Sequence, residues 1–289
     1  MSKPWIFVSP SSRGIGHAVT RHLLQNTSLP IVATCRSRDT AATKASLLDK
    51  LPASTVQNQH EKEDHASRLV VLRLDVTDEP SVRDAAEQAA ELFPRDSHHL
   101  HLGVAIPGIL HPEKSPLQVD YSKAEETFRV NTLGPLLLMK HFGEFLPRKR
   151  TELLLQGAVD GQTMEKDQLR LPRHATWLTM SARVGSVSDN RLGGWYSYRA
   201  SKAAVNSLTK TFDLHLRQRS GDRALAFAYH PGTVKTGLSR EFWAGVPEDK
   251  LFSPEFAAER LCAVAASRSS TGEHHRGRVW DWDGKEIVP

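Results

Sequence analysis

A tyrosine and a lysine are spaced to share a proton-transfer site. Tyr198 and Lys202 lie four residues apart in the segment GGWYSYRASKAAVNSL, residues 193–208. In a helix this spacing places both side chains on one face, one turn apart. An ammonium beside a phenol favours the phenolate and lowers the phenol pKa from about 10, so that a tyrosine can exchange protons near neutral pH. On spacing alone, an incidental pair on a solvated helix face stays open as the alternative.

Tyr196 is the rival proton donor in the same segment. It precedes Lys202 by six residues, which places it on another face of the helix. We therefore predict that Tyr198 transfers the proton.

Seven apolar runs alternate with helical patterns along the chain. The runs are 5–8, 31–35, 69–74, 100–106, 175–180, 224–230 and 279–282, and the helical patterns are roughly 14–26, 38–51, 80–93, 121–146, 196–219 and 254–268. Strands that alternate with helices of this length form a parallel sheet through right-handed crossovers, with helices on both faces. The sequence predicts one doubly wound α/β domain, residues 1–289, with about seven strands and a site beyond their carboxyl ends.

Two polar insertions interrupt this alternation. Residues 53–67 lack periodicity and predict a surface loop before the third strand. Residues near 148–173 include TELLLQGAVDGQTMEKDQLRLP, whose apolar residues fit either a short added helix or a hairpin on the surface. The pattern does not decide between these two.

Histidines occur in two adjacent pairs, His98 with His99 and His274 with His275. Both pairs fall in polar stretches, and neither has partners at the spacing of metal ligands. We predict surface side chains and no metal site.

Charge and composition narrow the class of partner. The 38 basic and 33 acidic residues give a net charge of +5, but they are interleaved, and the only tight basic cluster is 148–150. A nucleic-acid interface needs a denser basic patch with stacking aromatics, so we predict no nucleic-acid partner. No apolar run approaches the ~18 residues of a bilayer span, and the N-terminus lacks a signal or transit pattern. Cys35 and Cys262 imply no disulfide framework, and we expect a cytoplasmic protein with no membrane partner.

The first strand leads into a turn that fits a dinucleotide. In FVSPSSRGIG, residues 7–16, an apolar strand ends at a polar turn, and Gly14 and Gly16 open an amphipathic helix. Such a turn presents backbone N–H groups and a helix N-terminus to a pyrophosphate. Pro10 stands where the first of three glycines is expected, and proline has neither glycine's freedom nor an N–H. Alone, the stretch also fits a simple tight turn.

Together these segments resemble the short-chain dehydrogenase/reductase family across essentially the whole chain. The segment 198–202 is similar to the family's active-site signature. Four further motifs, three before this segment and one after it, stand in the order that the family has. They are Leu74-Asp75-Val76-Thr77, Asn131 in FRVNTLGP, Ser181 in MSAR, and HPGTVKT at 230–236. Within the family, SDNRLGGWYSYRASKAAVNSLTK and the closing WDWDGKE resemble a subgroup of C-factor-like signalling proteins and carbonyl reductases.

The resemblance implies a Rossmann-type fold and an oxidoreductase that interconverts a small-molecule carbonyl and an alcohol by hydride transfer from or to NADP(H). Tyr198 would be the general acid or base, Lys202 would hold the ribose hydroxyls, Ser181 would hydrogen-bond the substrate oxygen, and Asn131 would position a water. The implied cofactor contacts are Ser9, Ser11, Ser12, Arg13, Gly14, Ile15, Gly16, Arg36, Asp75, Val76, Ala105, Ile106, Gly108, Asn131, Tyr198, Lys202, Pro231, Gly232, Val234 and Thr236. The family often forms dimers or tetramers, and the oligomeric state stays open.

The end of the second strand favours NADP(H) over NAD(H). It reads Thr34-Cys35-Arg36-Ser37-Arg38, with no carboxylate before Asp39. NAD-binding folds place an acidic residue here for the ribose 2′-hydroxyl, whereas a 2′-phosphate requires arginine. Arg36, with Arg13 from the turn, would clamp this phosphate, and the alternative is that Arg36 and Arg38 only solvate a loop.

Two departures from the family pattern fall in the part of the cofactor site that would hold the adenosine. One is Pro10, and the other is Ala105-Ile106-Pro107-Gly108, which stands where the family has Asn-Asn-Ala-Gly. Because the four catalytic residues are unaffected, we expect a working reductase with weakened adenosine binding. The alternative is a nucleotide-binding regulatory or signalling protein with little or no turnover.

The loop after the sixth strand bears on the substrate. GLSREFWAG, residues 237–245, has two adjacent aromatics between glycines, which is typical of a mobile lid. Phe242 and Trp243 either cover an apolar carbonyl compound or serve as packing residues. Trp195 and the glycines 193–194 are expected near the same pocket.

Overall fold

A mostly parallel sheet forms the centre of the protein in a computed structural model, which describes residues 1–51, 65–154 and 169–289. Its strands are β1 (Lys3–Ser9), β2 (Ile31–Cys35), β3 (Leu69–Arg73), β4 (His98–Ala105), β5 (Ala175–Met180) and β6 (Ala224–His230), followed, after the short pair β7 (Thr233–Val234) and β8 (Leu251–Phe252), by β9 (Val279–Asp281) and β10 (Glu286–Ile287). The order across the eight-stranded sheet is β10-β9-β6-β5-β4-β1-β2-β3, and β7 pairs with β8 separately. Only β10 runs antiparallel within the large sheet. The seven predicted strands are therefore confirmed in the large sheet, to which β10 adds an eighth, and β7 and β8 form a separate short pair.

Helices cover both faces of the sheet. They are α1 (Gly14–Asn26), α2 (Thr40–Leu48), α3 (Glu79–Leu92), α4 (Tyr121–Phe128), α5 (Gly134–Phe142), α6 (Tyr196–Ser220) and α7 (Pro254–Ser267). One apolar core packs α1, α2 and α7 on one face of the sheet, and a second packs α3, α5 and α6 on the other. Within the described residues, no helix combines the length and the apolar character needed to cross a bilayer.

The central strands are mostly apolar because both of their faces are buried. In β1, Ile6 and Val8 enter the first core, whereas Trp5 and Phe7 enter the second. The ring of Phe7 stacks on that of Phe142 from α5, with centroids 4.0 Å apart. Continuous apolar runs, which predicted the strands, follow from this two-sided burial.

The long helix predicted for 121–146 is interrupted. Residues Arg129–Leu133 form a π-helical turn between α4 and α5. Pro135, in the first turn of α5, has no N–H to donate to the carbonyl of Asn131 four residues earlier, so a regular helix cannot continue through this point. The interruption lies at a predicted catalytic residue.

The two predicted insertions fall only partly within the described residues. Residues 53–64 lie outside them, and residues 65–68, where the predicted loop ends, are helical instead. The choice between a helix and a hairpin falls on 155–168, which also lie outside the described residues. At the start of the second insertion, Leu153 forms a parallel bridge with Ser2, next to the start of β1.

His98 and His99 belong to β4 rather than to a polar loop, and the prediction of a surface position is wrong for His99. His99 and its neighbour His101 are buried. Hydrogen bonds link the hydroxyl of Ser2 to His99 Nδ1 (3.0 Å), His99 Nε2 to His101 Nδ1 (3.2 Å), and His101 Nε2 to the carbonyl oxygen of Pro172 (2.9 Å). Because a carbonyl oxygen only accepts, donation along this chain satisfies both rings in their neutral form. Polar residues can thus occupy a buried strand when each has a partner.

We expect the protein to lose stability as the pH falls from 6.5 towards 4. Burial lowers the pKa of His99 from 6.5 to about 3, and that of His101 to about 4. In this window the unfolded chain binds protons that the folded protein does not, so stability that is complete above pH 6.5 is lost progressively on acidification. At about pH 5, each ring accounts for at most about 2 kcal/mol.

Urea unfolding at about pH 7.5 and about pH 5 measures this loss. In His101→Gln the difference between the two free energies of unfolding should be smaller than in wild type, whereas His98→Gln, at a half-buried position, serves as the control. An equal difference in wild type and His101→Gln would show that burial of His101 does not govern the acid response.

Candidate active site

Helix α6 carries Tyr198 and Lys202, both buried, against the carboxyl end of β5. The Lys202 Nζ donates to the main-chain carbonyl of Met180, the last residue of β5, at 2.9 Å. The same nitrogen lies 5.7 Å from the centre of the Tyr198 ring. Tyr196, the rival proton donor, is 43% exposed, whereas Tyr198 is 8% exposed. The ammonium and the buried phenol therefore lie side by side, and the second phenol faces solvent.

Burial controls the protonation of both groups. It lowers the pKa of Lys202 from 10.5 to about 8 and raises the pKa of Tyr198 above its usual value of 10. The predicted lowering of the phenol pKa by Lys202 does not hold in this structure, because desolvation of the phenol outweighs an ammonium that is bonded to Met180. Tyr198 is consequently a protonated phenol, suited to donate a proton.

Asn131 connects the segment after β4 to α6. Its buried side chain accepts from the backbone N–H of Ile109 (2.8 Å) and donates to the carbonyl of Ile109 (2.9 Å) and to the hydroxyl of Ser201 (3.1 Å). Gly108 lies beside it: a Cβ added there would be 3.8 Å from Lys202 Nζ and 3.9 Å from Asn131 Oδ1. The fold thus brings Gly108, Asn131 and Lys202 together.

Ser181, the fourth predicted catalytic residue, bonds to α6. Its side chain is buried, and its hydroxyl donates to Oδ1 of Asn206 at 2.5 Å. The hydroxyl hydrogen is therefore not available to a substrate in this conformation. Asn206 is absent from the sequence-based site, although its spacing of four residues from Lys202 places it on the same helix face and was a usable signal.

The turn between β1 and α1 packs tightly around the carbonyl of Pro10. A Cβ added to Gly16 would lie 1.8 Å from the Pro10 carbonyl oxygen and 3.1 Å from the Ile106 side chain. Gly14 has a φ of +59°, and a Cβ on it would lie 3.5 Å from the methyl group of Thr236. Segments predicted to contact the cofactor after β1, β4 and β6 therefore meet at one end of the sheet.

Two predicted cofactor contacts, Ser9 and Ser11, have fully buried side chains that serve the fold. The hydroxyl of Thr34 donates to Ser9 Oγ at 2.8 Å, and the hydroxyl of Ser11 donates to the carbonyl of Val8 at 2.9 Å. These bonds hold the turn against β2. Main-chain bonds add to them, since the Ser11 N–H donates to the carbonyl of Thr34 and the Ser9 carbonyl accepts the N–H of Ile106, both at 2.7 Å.

The other predicted cofactor residues differ in exposure. Ser12, Arg13 and Arg36 are exposed; Ile15, Asp75, Val76, Ile106, Pro231, Gly232 and Thr236 are half-buried; Ala105 and Val234 are buried. The two arginine side chains have no hydrogen bond or ion pair with another described residue. The Asp75 carboxylate accepts from the backbone N–H and hydroxyl of Thr77, at 2.9 and 2.7 Å, through one oxygen. Its second oxygen is left for a ligand.

The closing WDWDGKE segment holds the loop that follows Ser181. The Arg183 guanidinium bonds Asp281 at 2.9 Å and Asp189 at 3.0 Å. The other Asp281 oxygen accepts the backbone N–H of Lys285 at 2.9 Å. The segment that supported the family resemblance therefore braces the edge of the site.

Aromatic side chains stand next to Tyr198. The Trp195 ring lies edge-on to the Tyr198 ring, 6.2 Å between centroids, and 4.9 Å from the Phe242 ring. Trp243 instead donates from its ring nitrogen to the hydroxyl of Ser239 at 2.9 Å. Of the two aromatics in the predicted lid, Phe242 thus lies beside the site and Trp243 is bonded within its own loop.

Comparisons with known proteins identify relatives of this chain, although no protein-family model matches it. The chain is similar to C-signal from Myxococcus xanthus, with 30% identity over 169 residues that cover 58% of this chain and 80% of that protein. It is also similar to 1-hydroxy-2-glutathionyl-2-methyl-3-butene dehydrogenase from Rhodococcus sp. (strain AD45), with 28% identity over 213 residues that cover 72% and 78% of the two chains. Among solved structures, the NADPH-bound carbonyl reductase from chicken fatty liver superposes with a TM-score of 0.71 and 24% identity, and both chains are covered in full.

The relatives match most of the chain in sequence, and the solved structure matches its whole fold. The family resemblance rests on the sequence motifs that contain Asn131, Ser181, Tyr198 and Lys202, and the solved reductase has the same fold as this chain. The chain belongs to the short-chain dehydrogenase/reductase family.

Proposed function

We propose that this protein is an NADP(H)-dependent oxidoreductase that reduces a carbonyl compound to an alcohol, or catalyses the reverse reaction. The observation that carries the proposal is the buried phenol of Tyr198 beside the Lys202 ammonium, at the end of the sheet where the turn at Gly14 meets Thr236. Reduction of a carbonyl needs a proton donor at this place, next to a site for a dinucleotide. The reductase and dehydrogenase names of the relatives support the same reaction class.

The residues of the turn fit a dinucleotide. Gly14 and Gly16 lack the Cβ atoms that would otherwise fill the space towards Thr236 and crowd Pro10, so the backbone N–H groups at the start of α1 can approach a pyrophosphate. Exposed Arg13 and Arg36 supply the cations that a 2′-phosphate needs. The bound cofactor supplies or accepts the hydride.

Tyr198 would give its proton to the substrate oxygen as negative charge develops there. Lys202, with a pKa of about 8, stays largely charged at neutral pH and would stabilise the phenolate that remains. The carbonyl of Asn131, which Pro135 cannot engage, is an acceptor for a water that would return the proton. Ser181 would contact the substrate oxygen only after its hydroxyl leaves Asn206.

The side of Tyr198 lined by Trp195 and Phe242 would receive the substrate. Both rings are half-buried and offer apolar surface beside the phenol. An apolar carbonyl compound would bury this surface on binding, which favours association. Small ketones, aldehydes and quinones are the compounds to screen.

We expect Arg36→Glu to weaken NADPH binding selectively. A guanidinium can bind a phosphate through two hydrogen bonds, whereas a carboxylate at this position repels it, so NADPH affinity should fall about 10- to 100-fold while NADH affinity is kept. Calorimetric titration of each nucleotide into wild type and variant measures both values. Arg38→Glu, two residues further along the same exposed loop, is the matched control.

The same titration tests the cofactor assignment in wild type. Equal affinity for NADPH and NADH would contradict the preference for NADP(H). Binding of neither would mean that Pro10 and the segment 105–108 disable the site, and a regulatory protein without turnover would then be the better account.

A further inference from the structure

A buried carboxylate that is not among the predicted site residues lies against the start of α6. Glu113, in the segment after β4, is 3% exposed. Its Oε2 accepts the backbone N–H of Ser197 at 2.9 Å, and its Oε1 accepts the Ser197 hydroxyl at 2.5 Å. Its main-chain carbonyl accepts the N–H of Trp195 at 2.6 Å. Among the described residues no cation pairs with Glu113, so its hydrogen-bond partners belong to the first turn of the helix.

The start of α6 needs such an acceptor. The first N–H groups of a helix have no partner within it, and the positive end of the helix dipole favours a carboxylate. Trp195, the residue at the N-cap position, provides no side-chain acceptor. Glu113, 84 residues before Ser197, supplies the cap instead and thereby fixes the helix start to the segment after β4.

The turn that precedes α6 is held in a demanding conformation. Trp195 has a φ of +52°, in the left-handed region that a bulky side chain rarely adopts, and it follows two glycines at 193–194 with φ of +64° and +67°. The Arg199 guanidinium donates to the carbonyls of both glycines, at 2.9 to 3.1 Å. Such a conformation persists only where the surroundings enforce it, and here Glu113 and Arg199 do so from two sides.

We propose that Glu113 is a positioning residue for the proton donor. Ser197, which it holds by two hydrogen bonds, directly precedes Tyr198, and Trp195, which it holds by a third, carries the ring beside Tyr198. Release of these bonds lets the first turn of α6 move, and a displacement of about 1 Å can cost about 100-fold in rate. The catalytic consequence rests on the proposed function, whereas the anchoring of the turn does not.

Two variants test the anchoring of the turn and its consequence for catalysis. Glu113→Gln keeps the size of the side chain but leaves one oxygen in place of two, and Ser197→Ala removes only the hydroxyl contact. Glu91→Gln, which changes an exposed carboxylate on α3, is the matched control. Hydrogen exchange of the backbone amides at 196–199, measured in the full-length protein, should be about tenfold faster in Glu113→Gln and unchanged at 205–209 in the middle of the same helix.

Steady-state kinetics test the consequence for Tyr198. With NADPH and the carbonyl compound that wild type reduces fastest, we expect kcat of Glu113→Gln to fall at least about tenfold, while the KM for NADPH stays within about twofold, because the hydrogen bonds of Glu113 go to Ser197 and Trp195, neither of which is a predicted cofactor contact. Ser197→Ala should shift exchange and kcat in the same directions by smaller factors. It replaces Glu113→Gln if that variant does not fold.

The two measurements can contradict the anchoring role of Glu113, its role in placing Tyr198, and the proposed function separately. Exchange at 196–199 that matches wild type would overturn the anchoring role of Glu113. Faster exchange with an unchanged kcat would overturn its role in placing Tyr198. If wild type reduces no carbonyl compound, the proposed function fails, and the exchange experiment still decides whether Glu113 anchors the turn.

Discussion

Tyr198→Phe is expected to lower kcat for carbonyl reduction by about 100- to 10,000-fold, the range for loss of a general acid, and to leave NADPH binding nearly unchanged. The substitution removes one oxygen from a ring that is 8% exposed and packed between Trp195 and Lys202. Because the ring itself stays, no large cavity opens, and the free energy of unfolding should change little. Activity is measured by the oxidation of NADPH in the presence of ketones, aldehydes or quinones.

Tyr196→Phe is the matched control for this prediction. It removes the phenol oxygen of a tyrosine two residues earlier, whose ring is exposed on another face of α6, and this variant should keep the wild-type rate. Reduction by Tyr198→Phe at the wild-type rate would contradict the assignment of the proton donor. An equal loss in both variants would mean that the effect does not report on the buried phenol.

Gly16→Ala is expected to lower NADPH affinity by at least about 100-fold. On intrinsic helix propensity alone, alanine would stabilise α1 by about 1 kcal/mol relative to glycine. The added Cβ, however, would lie 1.8 Å from the Pro10 carbonyl oxygen, a backbone atom that cannot rotate away, and 3.1 Å from Ile106. The turn must therefore shift at the place where a pyrophosphate would meet the start of α1.

Calorimetric titration with NADPH and urea unfolding measure the two consequences of this substitution. Gly245→Ala is the matched control, since a Cβ at Gly245 meets no atom within 4 Å. It should keep wild-type affinity and stability. Wild-type NADPH affinity in Gly16→Ala would show that the dinucleotide does not bind at this turn.

Much of the fold could be predicted from sequence because its strands are buried on both faces. Runs at 31–35, 175–180 and 224–230 coincide with β2, β5 and β6. The amino end of β4 was missed since His98 and His99 are polar, and the burial of His99 and His101 depends on partners at Ser2 and Pro172 that no local pattern reveals. β10, with two residues, is too short to show a period.

The interruption of the helix predicted for 121–146 had a local signal that was not used. Pro135 stands in the middle of that pattern and removes one backbone donor. The resulting π-helical turn at Arg129–Leu133 places Asn131 beside Ser201 of α6. A proline within a helical pattern therefore indicates a break in the helix.

The candidate site was predictable to the extent that it lies on one element. Tyr198 and Lys202 share a face of α6, so their spacing was sufficient to bring them together. Glu113 comes from a segment 84 residues away and pairs with the backbone, which sequence does not record. The prediction that Lys202 lowers the phenol pKa is wrong for a related reason. Desolvation of the phenol depends on the whole fold, and it raises the pKa of Tyr198 here.

Transfer of deuterium from NADPH labelled at C4 tests the central claim most directly. The labelled cofactor is incubated with wild type and a panel of ketones and aldehydes, and the alcohol products are analysed by mass spectrometry. The account predicts a deuterated alcohol from wild type and from Tyr196→Phe, and almost none from Tyr198→Phe. Binding of NADPH without labelled alcohol from any carbonyl compound would contradict it and would favour a nucleotide-binding protein without turnover.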